Sequence, residues 1–541
     1  MKISTAIACA LCTLSLPTFA QTIALKNVNL VDVENLTIIK EQTIVIQDDA
    51  ISQVFKTGTK SLDSETIVLD LTDKYVIPGL IDGHVHHATN PDIWDNDQIT
   101  RKRLRNLLRG GVTGVRDMGG DARALASLAR RANNDVILAP DIYYSVIIGG
   151  PKFFEDPRTK ASARGLIAGQ TYWMRAVTED SDLNEVMLTA KGTGATGIKI
   201  YAKVEASMIK KLAKAAKKHG LQVWSHVYVD PASPSEISNA GVEVISHAPD
   251  LAAEIIDDYV NWRRKNIAPD EQQEAASYQA ENYQSLLKTL KENGTILDAT
   301  MTVFDNYKTR SENSQKRYRH TKMLTQLAYQ AGVKISAGTD AFSESTNQLH
   351  RELKLLVNDG GLTPLAAIQA ATLHNAQVLG LENSIGTISE GKKANLVVLN
   401  TDPSQDISAI ENIAHVLKNG QFIYRGDNPA LPFISAKKAA GVLWMSGQLG
   451  NLPGTMKLAG NDIETQMHQT MKNIGFVLQD HNLDYSDITK CTLMLANIDD
   501  WAKASEVYKS YFPFELPTRS AFAASGLALN AKVEVECLAT P

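Results

Sequence analysis

The chain has 541 residues, a net charge of −5, and a composition 44% hydrophobic, 21% charged and 6% aromatic. That length suits about three or four domains and a core that needs no disulfide or metal to hold it. The composition excludes disorder, collagen-like repeats and a disulfide scaffold. The mildly acidic balance argues against nucleic acid as the main partner, because neutralising phosphates takes clustered Lys and Arg.

Residues 1–20 have the pattern of an export signal: Lys2 supplies charge, Ile3 to Leu16 form a short apolar run, and Thr18-Phe19-Ala20 supplies the cleavage pattern. The run is shorter than the about 20 apolar residues that cross a bilayer. No stable membrane anchor is expected, and a periplasmic or secreted location is. Cys9 and Cys12 leave with the signal, and no Cys spacing of the zinc-binding kind exists. Cys491 and Cys537 lie in apolar, strand-like runs and are expected to be two buried free thiols.

Residues 21–75 alternate short strands with Asp and Gly turns. From 76 to 380 apolar strand runs alternate with helical segments; eight strands are predicted to begin near Val76, Val112, Ile142, Gly197, Leu221, Val242, Thr295 and Val333. Such alternation predicts an α/β fold with a closed (β/α)8 TIM barrel. The polar stretch from Asp250 to Asn293 is expected to place extra helices over the barrel mouth. Residues 381–425 return to β and are read as completing a small composite β-domain with 21–75. After a linker, Gly426-Asp427-Asn428-Pro429, residues 429–541 read as a separate α+β unit. Its first helix carries a buried stripe of Ile463, Met467, Met471, Ile474 and Leu478.

The chemistry-bearing residues lie in the barrel. Pro78-Gly79-Leu80-Ile81-Asp82-Gly83-His84-Val85-His86 puts two His on the same side of the first strand, so both can reach one cation. Gly220 then leads into a strand ending at His226, Gly241 into one ending at His247, and Gly332 into one ending at Asp340. In a closed barrel these strand ends meet at one mouth. Lys199, in Gly197-Ile198-Lys199-Ile200-Tyr201, has two readings. Its stem lines the barrel with the head in solvent, or its amine carries CO2 as a carbamate that bridges two metal ions ~3.5–4 Å apart. His and carboxylate ligands suit Zn2+, with Mn2+ and Fe2+ compatible.

These residues, with Gly111-Val112-Thr113-Gly114-Val115-Arg116-Asp117 and Gly386-Thr387-Ile388 running into Gly391-Lys392-Lys393-Ala394, resemble the amidohydrolase superfamily over residues 21–425, in its imidazolonepropionase-like and Xaa-dipeptidase branch. Asn395 stands where the family usually has Asp. The resemblance implies that His84, His86 and Asp340 hold one divalent metal ion, His226 and His247 a second, and carboxylated Lys199 bridges them. Asp340 would act as general base and then general acid. Tyr228, two residues past His226, is expected to face the pocket and contact a substrate carboxylate. The implied activity is hydrolysis of a C–N bond in a small amide, dipeptide or cyclic amide.

The last unit is similar to the reactive-intermediate deaminase (Rid) family through Ser446-Gly447-Gln448, Pro517-Thr518-Arg519-Ser520 and Val533-Glu534-Val535-Glu536. That similarity implies a chorismate-mutase-like fold, a homotrimer with sites between subunits, Arg519 gripping a substrate carboxylate and Glu534 activating water beside Gly447. Phe433, Ser505 and Ala521 replace the family's Tyr, Asn and Cys. Two further readings stay open. In one the barrel cleaves a cyclic imidazolone or enamide whose imine product the Rid-like unit processes; in the other the chain is a non-catalytic periplasmic binding protein with that unit as a trimerisation module.

Overall fold

The computed structural model describes residues 22–89, 96–256, 258–264, 279–341, 348–425, 433–452, 455–481, 483–513 and 515–540. The export signal and the predicted linker lie outside them.

Strands β1 (Thr22–Asp32), β2 (Thr37–Gln47), β3 (Ala50–Lys56), β4 (Ile67–Asp70) and β5 (Tyr75–Pro78) open a small sheet. The barrel follows as β6 (Leu80–Val85), β7 (Val112–Asp117), β8 (Asp141–Gly149), β10 (Gly197–Ile200), β11 (Gln222–His226), β12 (Val244–Ser246), β13 (Ile296–Asp298) and β14 (Ile335–Ser336); β9 (Met174–Ala176) pairs beside β8. Their pairings are parallel. The ring closes between its first and last strands, where Gly83 N donates to Ala337 O and Asp340 N to His84 O (2.9 and 2.8 Å). The Asn375 amide seals the same seam by donating to Ile81 O and Ala337 O. Ile81, Trp224, Val244 and Ile296, from four different barrel strands, pack in one cluster. A barrel of this kind is filled by its own side chains.

One boundary moves. Val76 is not in the barrel: Tyr75–Pro78 pairs with β1 and with β15 (Leu396–Leu399), and the chain turns into the barrel at Pro78-Gly79. Proline donates no ladder hydrogen bond, and a side chain at 79 would collide with Thr113. The small sheet is completed by β15, β16 (Ile413–Lys418) and β17 (Gln421–Arg425) around Leu25, Ile44, Ile46, Val76, Leu396 and Val398. The polar insertion splits in role. Tyr259–Arg264 reaches the barrel mouth, whereas Ala280–Glu292 leads into β13 as an ordinary crossover helix.

The C-terminal unit has the strand order β18 (Ala436–Ala439), β19 (Val442–Met445), β23 (Val533–Ala539), β21 (Ile488–Leu495), β22 (Thr518–Ala523), with β20 (Gln448–Leu449) pairing β23. The helix Ile463–Asp480 buries its predicted stripe in a core of its own and is capped by Asp462, which accepts from Thr465 N. The expectation of free thiols is corrected. Cys491 and Cys537 face each other across β21 and β23 and form a disulfide. Opposed positions on neighbouring antiparallel strands bring side chains close, and strand-like runs read one at a time do not reveal that register.

Candidate active site

His84 ends β6, and its Nδ1 donates to Asp298 Oδ2 (2.7 Å), which points Nε2 toward Asp340 Oδ1 (3.5 Å). His86 Nε2 lies 2.9 Å from the same oxygen. His247 Nδ1 is 3.9 Å from Asp340 Oδ2 and 3.0 Å from Thr300 Oγ1. The His226 ring sits between Tyr201 and His247, with centroids 4.6 and 4.9 Å away. Four histidines and Asp340, from four strand ends, thus meet at one mouth. Ligand-type atoms of His84, His247 and Asp340 all lie within 4.8 Å of one another. His247, Thr300 and Asp340 hold left-handed backbone conformations (φ 83°, 51° and 52°). Such strain persists only where the surroundings over-determine it, and it clusters at functional sites.

Burial pushes His84, His226 and His247 well below the ordinary histidine range, so each imidazole is neutral with a lone pair to offer. Burial alone would raise Asp340, but the hydrogen bond from His86 helps to hold the carboxyl below its usual value. Neutral imidazoles beside an ionised carboxylate are the donor set of a divalent metal site. Asp298 supplies the orienting carboxylate that metal-ligating histidines commonly have.

Lys199 is fully buried. Its Nζ donates to Ser225 O (2.9 Å) and Ser246 Oγ (2.7 Å), and Ser246 Oγ donates on to Asp298 Oδ2 (2.9 Å). Burial drives the amine well below the usual lysine range. The solvent-reaching stem is excluded by this geometry.

Above these residues lies a cavity of about 480 Å3 whose walls include His86, His226, His247, Asp340, Tyr201 and Phe304. Tyr228 does not line it. Strand β11 ends at His226, so the alternation that would have aimed Tyr228 inward stops there; its hydroxyl donates to Asp230 Oδ1 (3.1 Å) and its ring meets Tyr259.

In the C-terminal unit Arg519 Nη1 donates to Ser505 Oγ (3.0 Å), with Trp501 and Tyr508 flanking the guanidinium at 5.4 and 5.2 Å. Glu534 backs onto Gly447, where any side chain would strike its carboxylate. Phe433 is exposed, and Ser505 is buried.

Residues 75–423 match the model of the amidohydrolase family. The chain belongs to that family. It is therefore a hydrolase of carbon–nitrogen bonds. Residues 426–541 match the endoribonuclease L-PSP family. Within them the chain is 41% identical over 109 residues to Reactive Intermediate Deaminase A, chloroplastic, of Arabidopsis thaliana, covering 20% of this chain and 58% of that protein. Among solved structures, a Xaa-Pro dipeptidase with bound methionine in its active site superposes with a TM-score of 0.60 at 23% identity, covering 75% of this chain and 100% of that one. An ochratoxinase of A. niger gives 0.59 at 19% identity, covering 76% and 97%. At these identities the structures speak for the fold.

Two residues of this amidohydrolase escaped the sequence reading. Asp298 ends β13 and accepts from His84, Ser246 and Arg116 (the last at 3.1 Å), while its Oδ1 is buried with no partner among the described residues. Arg116 is fully buried over the Trp224 ring (4.7 Å). Asp298 carried the same signal as the histidines, a Gly (Gly294) leading into a short apolar run that ends in a ligand-type side chain. Arg116 had none, since nothing in a strand sequence says which inward position meets a carboxylate.

Proposed function

We propose that the chain is a metal-dependent hydrolase of a C–N bond in a small N-acyl amino acid, dipeptide or cyclic amide. The observation that carries this reading is the convergence of His84, His247 and Asp340 on one point beneath the cavity. The residues fit the metal: neutral imidazoles and an ionised carboxylate form a nitrogen and oxygen donor set that suits zinc, with Asp298 orienting His84. In this reading His84, His86 and Asp340 would hold one ion, His226 and His247 would hold a second, and Lys199, as a carbamate, would serve as a ligand to both. When bound, the ions supply Lewis acidity for an amide carbonyl and for a water.

The chain's own residues do the rest. Asp340 takes the proton of the attacking water on a carboxylate oxygen and hands it to the leaving nitrogen. Asp298 fixes the His84 tautomer, and the Tyr201 hydroxyl, tied to Met118 O (2.7 Å), packs its ring against His226. The likeness to a Xaa-Pro dipeptidase with bound methionine fits an amide linked to an amino acid. A hydrolysis screen of N-acyl amino acids, dipeptides and cyclic imides, with metal analysis and Asp340→Asn as the blank, tests the reading. A protein that holds no stoichiometric metal, and stays inactive with metal added, overturns it. For Lys199, intact-mass analysis should show the gain of one CO2, and Lys199→Ala should lose metal; undiminished metal content in that variant argues for a plain lysine.

The C-terminal unit is proposed to assemble the chain as a homotrimer. Phe433, Trp444 and Phe522 are 53%, 52% and 49% exposed in the single chain, and β22, which carries Arg519, is an edge strand. Large apolar side chains around an unpaired edge are what an interface would cover. Export is proposed from the sequence of residues 1–20, and the Cys491–Cys537 bridge fits an oxidising compartment.

A further inference from the structure

The cavity is walled by cations that the metal chemistry does not use. Arg263, on Tyr259–Arg264, and Arg317, on Glu312–Gln330, both line it. Both lean on one carboxylate: Arg317 Nη2 is 3.0 Å from Asp250 Oδ1 and Arg263 Nη1 is 3.4 Å from Asp250 Oδ2. The Tyr259 hydroxyl donates to Asp250 Oδ1 as well (2.6 Å). Asp250 is almost fully buried, and the two arginines outweigh that burial and hold it ionised, below its usual value. Two guanidinium charges against one carboxylate leave one positive charge in excess within this group of three, while Asp340 on the same cavity carries its negative charge among the histidines. Arg317 Nε is buried with no partner among the described residues. Arg158, also on the wall, is spent on Asp156 and is largely in solvent. The lining also includes the apolar Ile147, Phe153, Met174 and Phe304, and the Phe304 ring meets both Arg317 (4.6 Å) and His247 (6.2 Å).

We propose that Arg263 and Arg317, clamped by Asp250, form a carboxylate subsite that selects N-acyl or N-aminoacyl amino acids with a free carboxylate over neutral amides. This deepens, and rests on, the reading of the barrel as an amide hydrolase. A planar guanidinium fork matches a carboxylate in two-point contact, and an uncompensated charge in a half-enclosed cavity favours an anion. The apolar wall takes the side chain or acyl group, which places the scissile amide toward Asp340. A cyclic amide without an acid group leaves the excess charge unanswered. The role expected of Tyr228 thus passes to residues of the insertion and of the helix beyond β13.

The test is equilibrium binding to the full chain after chelation, because bound metal would itself attract any carboxylate. The probes are N-acetyl-L-phenylalanine and its carboxamide. The acid should bind about tenfold or more tightly than the amide, a difference of roughly 1.4 kcal/mol. Arg317→Gln and Arg263→Gln should each remove most of that preference while leaving amide binding unchanged, and Arg317→Lys should retain part of it. In the metal-loaded enzyme the same variants should raise KM for the acid with kcat little changed. Equal binding of acid and amide by the unaltered chain, or variants that weaken both probes alike, overturns the subsite. Charge-selective binding without any hydrolysis would instead uphold the subsite and overturn the hydrolase reading, so the two failures are distinct.

Discussion

The barrel mouth and the C-terminal pocket differ in how much of each one chain completes. At the mouth, ligand-type residues from several strands meet under a wall that the same chain supplies, and their second atoms are tied to Asp298, Thr300 and Thr89. In the C-terminal unit Arg519 stands on an edge strand, steadied by Ser505, Trp501 and Tyr508, with exposed apolar side chains nearby. A closed barrel concentrates strand ends at one place and so builds a site alone. An open sheet leaves an edge to be covered by another copy. One site should fail by losing a single atom, the other by losing a neighbour.

The largest effect tests the first half of that contrast. Asp340→Asn removes the proton acceptor and should lower turnover by about 10²–10⁴-fold, while the C-terminal core, which shares no residue with it, stays folded. Initial rates with metal in excess, alongside circular dichroism, measure both. Asp298→Asn is milder. It touches no cavity wall but loosens His84, and loss of such an orienting carboxylate should weaken metal binding by about 10–100-fold. A metal titration showing unchanged affinity would mean that His84 is held by something other than Asp298.

The second half is tested by the edge. Phe522→Glu and Trp444→Glu put charge where a neighbour's apolar surface is expected, and each should shift the full chain from trimer toward monomer in sedimentation. Hydrolysis by the barrel should persist, because its walls come from one chain. A protein that is monomeric before any substitution removes the basis of the comparison.

The sequence showed these two regions with unequal clarity. His226, His247 and Asp340 each closed a short apolar run after a glycine, and that local pattern carries over into a barrel. Asp298 follows the same grammar at a different spacing, four residues after its glycine where His226 and His247 come six after theirs. Val76 reads as a barrel residue in the sequence because an apolar strand looks the same in either sheet; its pairing with Leu30 and Val398 decides. Register likewise hid the Cys491–Cys537 bridge, and convergence in space hid the two arginines on Asp250, which lie 54 residues apart in helices that no periodicity connects.

Acid stability separates the cavity wall from the rest of the barrel. The folded Asp250 carboxyl is held below its usual value by Arg263 and Arg317, so it contributes stability that is present above the unfolded value of about 3.9 and lost as pH falls through the folded value. Asp250→Asn should therefore be less stable than the unaltered chain near neutral pH. The two unfolding curves should converge below about pH 4. A difference that stays constant down to acid pH would show that the pair of arginines does not bias Asp250.

The smallest effect lies between the two regions. The barrel helix Asp97–Arg109 meets the C-terminal unit through Arg101, 2.7 Å from Asp484, and through Arg109, paired with Asp480. Arg101 and Asp484 are 36% and 39% exposed, so water and salt screen them, and holding long side chains in one geometry costs entropy. A double-mutant cycle with Arg101→Ala and Asp484→Ala should give a coupling of only about 0.2–1 kcal/mol, shrinking further in high salt. If the units relied on these ion pairs to stay together, the coupling would be larger. A small coupling would leave the apolar contact, in which Leu452 and Ala459 of the C-terminal unit are buried against the small sheet, to hold the units together.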